Sequence, residues 1–413
     1  MNNVLVVGRG GREHALAWKL QQSPKVKKVY VAPGSKGMEN VATIVNIDEL
    51  DFESLAAFAK SENIVFTVVG PEAPLAKGIV DYFSKEGLAI FGPTAAAAEI
   101  EASKSFSKAL MEKYHIPTAA SKIFTNCDEA CEYVKTLPTP IVLKADGLAA
   151  GKGVAIVNSV QDAIETLKDM MENEKYGIAS RKVVIEEFLE GEEYTFMAFV
   201  KGENVYPMEL SRDYQKAYDG DKGPITGGMG AYSPTTKISD EEIVEAKEVL
   251  NKTAKALAKE GRPFAGFLYG GFISGAKVIE FNSRFGDPEA EVLLLRLESD
   301  LFEVIELLLK GEAPTLKWSS DVAVGVVLAS TGYPESPKTG YPISGLDDLK
   351  PDTLVFHCGT DYKDGTYITN GGRVLMVVRM AKTLAQARDE VYEEIDKIKC
   401  EELFWRTDVL ADA

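Results

Sequence analysis

A short apolar segment ends in two side chains that could bind a divalent metal ion. Glu280 and Asn282 close this segment, and residues 264–279 before them include no Asp or Glu. In a β-strand, residues i and i+2 point to the same face, so two oxygen ligands would lie side by side. Such ligands suit Mg²⁺ or Mn²⁺ held together with phosphate oxygens. Arg284 follows closely and could clamp an anionic substrate. A buried structural salt bridge is the alternative.

A glycine-rich loop lies between two predicted strands and could cover a phosphate group. Lys144 belongs to the strand before the loop, and Val154 begins the strand after it. The spacing does not fit the phosphate-binding loop of P-loop proteins, which leads from a strand into a helix. A loop of this kind can fold over a triphosphate, with Lys144 as a fixed positive charge beneath it. A surface hairpin without a ligand is the alternative. The loop residues of interest are Gly147, Gly151, Lys152 and Gly153.

An apolar strand at 183–188 leads into a run of carboxylates that could hold a nucleoside. The backbone of Phe188 and Leu189 could pair with adenine, and a carboxylate could accept hydrogen bonds from both ribose hydroxyl groups. A solvated charged turn explains the same pattern. The carboxylates are Glu186, Glu187, Glu190, Glu192 and Glu193.

The first glycine turn follows the first predicted strand and opens a helix. Its backbone N–H groups, together with the helix dipole, suit an anion, although a tight turn without a ligand is equally consistent. Arg9 and Arg12 favour a phosphorylated ligand. A nicotinamide cofactor is disfavoured, since Glu13 replaces the third glycine of that fingerprint and the second strand ends without an acidic residue. We interpret His14 as a packed helix residue.

Residues 211–236 show no clear periodicity and are predicted to form a long polar loop, which is usually functional or disordered. The loop contains Asp213 and three glycines at 227, 228 and 230. These glycines suggest a close approach of the backbone to a ligand, with an unstructured linker as the alternative.

The elements around these motifs predict a mixed fold. Strands and helices alternate over the first ~100 residues, which indicates a parallel sheet with helices on both faces. Single helices are predicted at 94–113, 239–259 and 288–310. A compact α+β region lies between residues 120 and 199, and strands predominate after Pro314.

Composition excludes several classes of protein. Lys and Arg number 46 and Asp and Glu 63, a net charge of −17, which argues against nucleic acid as the main partner. No run of about 18 apolar residues predicts a membrane span, and the N-terminus does not resemble a signal peptide. Four cysteines in 413 residues cannot form a disulfide framework, which fits a reduced, cytoplasmic setting. Three histidines make a histidine-rich metal site improbable.

Together these motifs resemble the ATP-grasp superfamily and, within it, the glycinamide ribonucleotide synthetase family. The stretch 278–289 is highly specific for that family. The other similar stretches are 8–14, 70–75, 91–94, 144–153, 186–193, 227–234 and 370–374. The resemblance implies an N-terminal α/β domain at 1–101, an ATP-grasp domain at 102–316 with a lid subdomain at about 119–190, and a C-terminal domain at 317–413.

The resemblance also implies ATP-dependent ligation of glycine to 5-phosphoribosylamine through glycyl phosphate, a step of purine biosynthesis. Lys144, Arg284 and Asp213 would be catalytic, and Glu280 and Asn282 would bind Mg²⁺ or Mn²⁺. The preceding strand has no further acidic ligand, which implies few protein ligands. ATP would contact Lys104, Lys144, Gly147, Gly151, Lys152, Gly153, Glu186, Glu187, Phe188, Leu189 and Glu193. The other substrates would contact Gly8, Gly10, Gly11, Arg12, Glu13, Gly70, Pro71, Glu72, Gly228, Gly230 and Asp287.

Three rival functions and several partners complete the expectations. Another ATP-grasp ligase, using bicarbonate or formate, is the nearest rival; a nucleotide sensor without turnover and an NAD oxidoreductase are the others. The expected partners are ATP, glycine and 5-phosphoribosylamine, with neither nucleic acid nor membrane. We expect a cytoplasmic monomer that could receive its labile amine directly from the preceding enzyme of the pathway.

Overall fold

The computed structural model describes residues 1–148 and 153–411 and divides the chain into two compact units. The first unit comprises Met1–Gly92, Met208–Thr235 and Arg284–Ala413, and the second comprises Pro93–Pro207 and Thr236–Ser283. Both units mix helices and strands, so the predicted class is confirmed. The domain boundaries expected at residues 101 and 316 stay a prediction.

The first unit begins with a five-stranded parallel sheet. Residues 4–7 of its central strand are fully buried, as expected for a parallel strand covered on both faces. The N–H of Gly34 donates to the Gly8 carbonyl and that of Gly70 to the Val7 carbonyl, each at 3.0 Å. The turns after three neighbouring strands therefore meet at one edge of the sheet. The strand order is Thr43–Ile44, Val26–Pro33, Asn2–Gly8, Ile64–Val69 and Ile90–Phe91.

Short helices connect these strands. The helix Phe52–Ser61 begins where the Asp51 carboxylate accepts a hydrogen bond from the Ser54 N–H at 3.0 Å, which satisfies a free donor of the first turn. The other helices of this region are Gly11–Gln21, Glu72–Ala76 and Ile79–Lys85, with a 3₁₀ turn at Lys36–Met38.

The rest of the first unit is mainly antiparallel. The helix Leu384–Ile395 packs on the two longest strands through Ala387, Val391 and Ile395. The strands of this sheet, in order, are Gly230–Ser233, Val322–Ser330, Arg373–Ala381 and Leu354–His357. Leu403–Phe404 pairs with Val322–Ser330, and a separate three-stranded sheet contains Pro342–Ile343, Thr366–Thr369 and Thr360–Lys363.

Two sequence predictions in this region were wrong. The single helix expected at 288–310 is two helices, Glu289–Arg296 and Leu301–Lys310, because the Asp300 carboxylate caps the second through the N–H groups of Phe302 and Glu303. The expected loop at 211–236 contains ordered strands. Asn204–Asp213 pairs with Gly230–Ser233, and Lys216–Tyr218 pairs with Lys222–Ile225. The three strands that lie wholly within this stretch have three or four residues each, and they are too short, and too rich in glycine and charge, to show periodicity.

The second unit contains two antiparallel layers. A small sheet has the order Ser121–Phe124, Val183–Glu187, Ile141–Ala145 and Val154–Val157, and helices Cys127–Val134 and Val160–Met171 pack on it. The other layer contains Glu193–Gly202 and the acidic hairpin, which consists of Phe264–Ile273 and Lys277–Asn282. The helix Asp240–Lys259 packs against this layer.

The helix predicted at 94–113 is also two helices, Ala95–Ala102 and Lys104–Lys113. Ser103 has an extended backbone, and its hydroxyl group accepts a hydrogen bond from the Phe106 N–H at 3.1 Å. Serine thus acts as the N-cap of the second helix. Among the described helices, none has both the length and the apolar content needed to cross a membrane.

Two of the three histidines form a buried pair in the first unit. The N–H of His357 donates to His14 Nδ1 at 3.0 Å, and His357 Nδ1 lies 2.8 Å from Thr360 Oγ1. Burial, and then the neighbouring His357, lowers the pKa of His14 to about 3. Burial lowers the pKa of His357 to about 4. Both rings are therefore neutral at physiological pH, and the interpretation of His14 as a packed residue is confirmed.

This pair should make the first unit sensitive to acid. The unfolded chain, with histidine pKa values near 6.5, binds protons between about pH 6.5 and pH 4 that the folded chain does not bind. The free energy of unfolding should therefore fall by roughly 2–4 kcal/mol between about pH 7 and pH 5. Urea titrations followed by tryptophan fluorescence report on this unit, which contains Trp18, Trp318 and Trp405.

The matched variants are His357→Gln and His115→Gln. The first should remove about half of the pH dependence. The second changes an exposed ring and should leave the dependence as it is in the wild type. Identical pH dependence in wild type and His357→Gln would show that the buried pair is not responsible.

Candidate functional site

The second unit contains a pocket that brings together lysines and carboxylates from distant parts of the chain. Its charged lining includes four residues of the predicted site, together with Lys108 and Glu101, which the sequence interpretation did not single out. We call it the lysine pocket; its charged side chains are Lys104, Lys108, Lys144, Glu186 and Glu280, with Glu101 beside them.

One carboxylate joins two buried lysines in this pocket. Glu186 Oε2 lies 3.0 Å from Lys144 Nζ and 3.3 Å from Lys108 Nζ, and all three side chains are about 5% exposed or less. Burial lowers the pKa of Lys108 to about 8, although Glu186 opposes this shift. Glu186 Oε1 is buried and has no hydrogen-bond partner. With their ordinary charges, Lys108, Lys144 and Glu186 together carry one net positive charge, whereas the three lysines and three glutamates of the whole lining balance.

The two lysines differ in how their hydrogen atoms are used. Lys108 Nζ donates to Thr118 Oγ1 at 2.8 Å and to the Ala119 carbonyl at 3.1 Å, in addition to its contact with Glu186. All three of its donors are thus occupied. Lys144 Nζ contacts Glu186 and donates to the Ile279 carbonyl at 3.0 Å, which leaves one donor for a ligand.

The acidic hairpin places its two candidate metal ligands next to each other. Asn282 Nδ2 lies 3.1 Å from Glu280 Oε1, as the i, i+2 spacing predicted, and Lys104 Nζ lies 3.9 Å from Glu280 Oε2. Among the described residues, no group of three or more His, Cys, Asp or Glu side chains could hold a metal ion. Glu280 and Asn282 fit an ion completed by phosphate and water, because both offer hard oxygen atoms at the edge of the lysine pocket.

The base of the glycine-rich loop is attached through Asp146, a residue that the sequence interpretation missed. Its carboxylate accepts hydrogen bonds from the Ser105 N–H at 2.9 Å, from Ser105 Oγ at 2.6 Å and from Ser103 Oγ at 3.1 Å. Burial alone would raise the pKa of Asp146, but these hydrogen bonds and Lys182 lower it. The loop is thereby tied to the start of the helix Lys104–Lys113.

The predicted loop residues have mixed outcomes. Gly147 has φ +139°, and a Cβ atom there would lie 2.8 Å from Ala179 Cβ, so glycine is required. The Gly153 carbonyl accepts a hydrogen bond from the Ala145 N–H at 2.8 Å, directly before the strand Val154–Val157. Gly151 and Lys152 lie outside the described residues.

The candidate adenosine residues follow the strand Val183–Glu187. Glu187 Oε1 accepts a hydrogen bond from the Ala120 N–H at 2.9 Å, so it has a partner within the small sheet. Phe188 is 36% exposed, and neither it nor Leu189 belongs to a strand, which leaves their backbone groups free of a sheet ladder. Glu193 is exposed and begins the next strand. Their roles toward ATP remain predictions.

In the first unit, Glu13 fills the space between two strand ends. Glu13 Oε2 accepts from the Gly10 N–H at 2.7 Å, and Oε1 contacts Arg12 Nε at 2.6 Å. A Cβ atom on Gly8 or Gly70 would lie 2.4 or 1.8 Å from the Glu13 side chain. Glu13 is 2% exposed and supports its own turn. Binding of a substrate by Glu13 therefore remains only a prediction.

Arginines surround this turn. Arg12 is buried and donates to the Phe285 carbonyl at 3.2 Å, and Arg284 Nε lies 3.5 Å from Glu72 Oε2. Burial would raise the pKa of Glu72, but Arg284 and Arg12 lower it below its ordinary value. Pro71 is the N-cap residue of the short helix that Glu72 begins. The predicted substrate-binding residues at 8–13 and at 70–72 thus lie in one charged cluster.

Arg373, like Lys108 and Asp146, is a residue to which the sequence interpretation gave no role. Its Nη1 atom lies 2.9 Å from Asp287 Oδ1 and donates to the carbonyls of Asp287 at 2.8 Å and Gly227 at 2.9 Å. Burial lowers the pKa of Arg373, but Asp287 and other neighbours raise it overall. The stretch 370–374 had pointed to this region only through its resemblance to the family.

The glycines after Asp213 pack against protein atoms. Gly228 has φ +114°, and a Cβ atom there would lie 2.3 Å from Pro288 Cδ. A Cβ atom on Gly230 would lie 2.8 Å from the Gly325 carbonyl oxygen. Asp213 ends its strand opposite Ala231. Packing within the protein is therefore sufficient to require these glycines, and their contact with a ligand remains a prediction.

The lysine pocket, the glycine-rich loop on the small sheet and the acidic hairpin together define an ATP-grasp domain. Proteins of this class use ATP and divalent metal ions. The match to a family is more specific. Models of the phosphoribosylglycinamide synthetase N domain, ATP-grasp (A) domain and C domain match residues 2–101, 102–290 and 323–411. The chain belongs to the phosphoribosylglycinamide synthetase family.

Named relatives agree with this assignment. The phosphoribosylamine–glycine ligase of Halalkalibacterium halodurans is 55% identical, over 98% of this chain and 96% of its own length. The phosphoribosylamine–glycine ligase of Listeria innocua is 50% identical, over 98% of this chain and 99% of its own length. The crystal structure of phosphoribosylamine–glycine ligase from Thermotoga maritima has a TM-score of 0.86 at 33% identity, over 98% of this chain and 99% of that chain. A biotin carboxylase from Campylobacter jejuni, at 15% identity and TM-score 0.72, shares the fold.

Proposed function

We propose that the protein ligates glycine to 5-phosphoribosylamine at the expense of ATP, giving glycinamide ribonucleotide, ADP and phosphate. The observation that carries the proposal is the family match along nearly the whole chain, which includes both the lysine pocket and the charged cluster around Arg284. The product belongs to purine biosynthesis. Family members share this ligation, so the relatives' names support the assignment.

The chemistry requires positive charge more than it requires acid–base groups. The glycine carboxylate must approach the γ-phosphate of ATP, and both are anions. Lys104 and Lys144 would neutralise the phosphates, and the metal ion held by Glu280 and Asn282 would supply further positive charge. Arg284 would bind the glycine carboxylate. Such positioning and charge compensation account for most of the acceleration in phosphoryl transfer.

The second step joins the activated glycine to the amine. The amine nitrogen of 5-phosphoribosylamine attacks the acyl carbon of glycyl phosphate, the new C–N bond forms, and the C–O bond to phosphate breaks. Asp213 would orient the reacting groups, and Glu72, Asp287 and the 8–13 turn would hold the sugar phosphate. Exclusion of water during this step protects the acyl phosphate from hydrolysis.

Isotope labelling tests the intermediate. With ¹⁸O in both carboxylate oxygens of glycine, one labelled oxygen per turnover should appear in the released phosphate, because that oxygen becomes the bridge of the acyl phosphate. Mass spectrometry of the phosphate measures the transfer. Phosphate that contains no label after complete turnover would exclude glycyl phosphate. Glycine labelled with ¹⁵N is the control and should leave the phosphate unlabelled.

An ADP-release assay with each substrate omitted in turn separates the rival functions. ADP release that requires both glycine and phosphoribosylamine supports the proposal. Release triggered by bicarbonate or formate instead would indicate another ATP-grasp ligase, and ATP binding without ADP release would indicate a sensor. The same assay with Mg²⁺ or Mn²⁺ identifies the working ion.

The remaining assignments extend this proposal. We infer a cytoplasmic location, which the four free thiols support. We also infer a monomer that can take its amine directly from the enzyme that makes it, because a glycosylamine hydrolyses readily in water. Analytical ultracentrifugation measures the oligomeric state. A competing trap for free amine in a coupled assay measures whether the amine is transferred directly.

A further inference from the structure

A buried carboxyl group lies directly against the glycine turn of the first unit. Glu291 belongs to the helix Glu289–Arg296, is 0% exposed, and has no hydrogen-bond partner at either carboxylate oxygen. A Cβ atom added to Gly11 would lie 2.5 Å from Glu291 Oε1 and 2.7 Å from Cys358 Sγ. The carboxyl group and the thiol therefore pack against the first residue of the helix Gly11–Gln21.

The charged groups around Glu291 determine its protonation. Burial raises the pKa of Glu291 well above its ordinary value, and Asp287 raises it further, whereas Arg373 and Arg12 oppose the shift. Burial also raises the pKa of the Cys358 thiol, with Asp287, Glu291 and Glu13 contributing in the same direction. Burial without a hydrogen-bond partner therefore favours the uncharged form of Glu291, and burial likewise favours the uncharged thiol of Cys358. The remaining carboxylates have cationic partners, since Glu13 pairs with Arg12 and Asp287 pairs with Arg373.

An uncharged group at this position matters because of what the turn can bind. The N-terminus of an 11-residue helix offers N–H donors and a partial positive charge to an anion. An ionised carboxylate in contact with Gly11 would cancel that charge and repel a phosphate in a region of low dielectric constant. A neutral carboxylic acid fills the same space without this repulsion.

We propose that Glu291 is a positioning residue for the phosphorylated sugar. It supports the Gly10–Gly11 turn and, in its uncharged form, allows that turn to bind the sugar phosphate. The inference rests on the proposed function, which supplies the phosphorylated sugar. Glu291 acts through the turn, because its buried oxygens are closed to solvent. Alkaline pH should therefore weaken binding of the phosphorylated sugar specifically, because it ionises Glu291.

The test compares KM values of wild type, Glu291→Gln and Glu291→Ala at about pH 7 and about pH 9.5. 5-Phosphoribosylamine is formed in situ from ribose 5-phosphate and ammonia, and variants are compared at the same pH, so that the ammonia equilibrium cancels. At neutral pH the KM of Glu291→Gln for this substrate should be within about twofold of wild type. At alkaline pH the wild-type KM should be about fivefold or more above that of Glu291→Gln.

The other arms separate positioning from simple structural support. Glu291→Ala leaves a cavity beneath Gly11 and should raise the KM for the sugar phosphate about tenfold at both pH values, which Glu291→Gln rescues. KM values for ATP and glycine should stay within about twofold throughout. Glu312→Gln, the same change at an exposed position, should match wild type.

Superimposable pH profiles of wild type and Glu291→Gln would overturn the inference. A parallel rise of all three KM values in Glu291→Gln would also overturn it, because that result indicates a general disturbance of the fold. Failure of the proposed function gives a different result, namely a folded wild-type protein that does not turn over the three substrates at any pH, and the inference then fails with it.

Discussion

Glu280→Gln lowers kcat by about 100-fold or more at saturating ATP, glycine and phosphoribosylamine. The change keeps the size of the side chain and its contact with Asn282, which is 3.1 Å in the wild type. It removes the only negative charge of the two-residue ligand set, and two neutral amides bind a divalent ion weakly. Lys104 also loses the carboxylate that lies 3.9 Å away. Steady-state kinetics over a range of Mg²⁺ concentrations measures the effect.

A matched control contacts the same hairpin from the helix Asp240–Lys259. Glu242 Oε1 accepts a hydrogen bond from the Gly275 N–H at 3.0 Å, at the turn of the acidic hairpin. Glu242→Gln makes the same chemical change there and should alter kcat by less than about threefold. An unchanged kcat for Glu280→Gln at saturating Mg²⁺ would refute the ligand assignment. Equal losses in both variants would indicate that the hairpin, not the metal site, is responsible.

Lys144→Met should lower kcat/KM for ATP by about 10³-fold, because it removes a fixed positive charge from a buried, water-poor site. The fold should survive, since Glu186 keeps its contact with Lys108 at 3.3 Å. The expected loss of stability is about 1–2 kcal/mol. Hydrogen exchange of the strand Val183–Glu187 measures that loss, because the tryptophans all belong to the first unit.

Lys108→Met is the matched control, because it distinguishes a loss of stability from the loss of a contact with ATP. Lys108 and Lys144 contact the same oxygen of Glu186 and are equally buried, so their loss should cost similar stability. All three hydrogen-bond donors of Lys108 contact protein atoms, so its loss should reduce kcat/KM for ATP by less than about tenfold. Similar activity losses in the two variants would contradict a direct role of Lys144 toward ATP.

Much of the fold could be predicted from local sequence. Alternating apolar strands and helices predicted the parallel sheet, and residues 4–7 are indeed buried at its centre. The i, i+2 spacing of Glu280 and Asn282 at the end of an apolar strand predicted that their side chains share one face, and the two side chains meet as expected. These features depend on contacts between residues that are close in sequence, and the spacing of apolar residues along the chain indicates such contacts.

Features that depend on single caps were missed. Ser103 ends one helix and begins the next, and Asp300 begins the helix Leu301–Lys310, yet both residues lie within strongly helical sequence. Propensity averaged over a window does not detect one capping residue. The strand Gly230–Ser233 was missed for a related reason, because its pairing partners, Asn204–Asp213 and Val322–Ser330, lie in other segments of the chain.

The candidate site divides in the same way. Motifs identified Lys144, Glu280 and the 8–13 turn, because glycine spacing and isolated charges are local patterns. Lys108, Asp146, Glu291 and Arg373 were assigned no role, because each gains one from residues far away in sequence. Arg373 shows this most clearly, since its contacts are Asp287 and Gly227, 86 and 146 positions away. Only the tertiary structure brings such residues together.

The discontinuous first unit has a consequence for synthesis on the ribosome. The helix Gly11–Gln21 packs against Glu289–Arg296 and against the strand Leu354–His357. When the N-terminal sheet emerges, the partners of this helix are still several hundred residues from being translated, so an apolar face stays uncovered meanwhile. The second unit is complete once Ser283 has emerged. Order of translation therefore favours early completion of the second unit, and the nascent N-terminal segment is the part most in need of a chaperone.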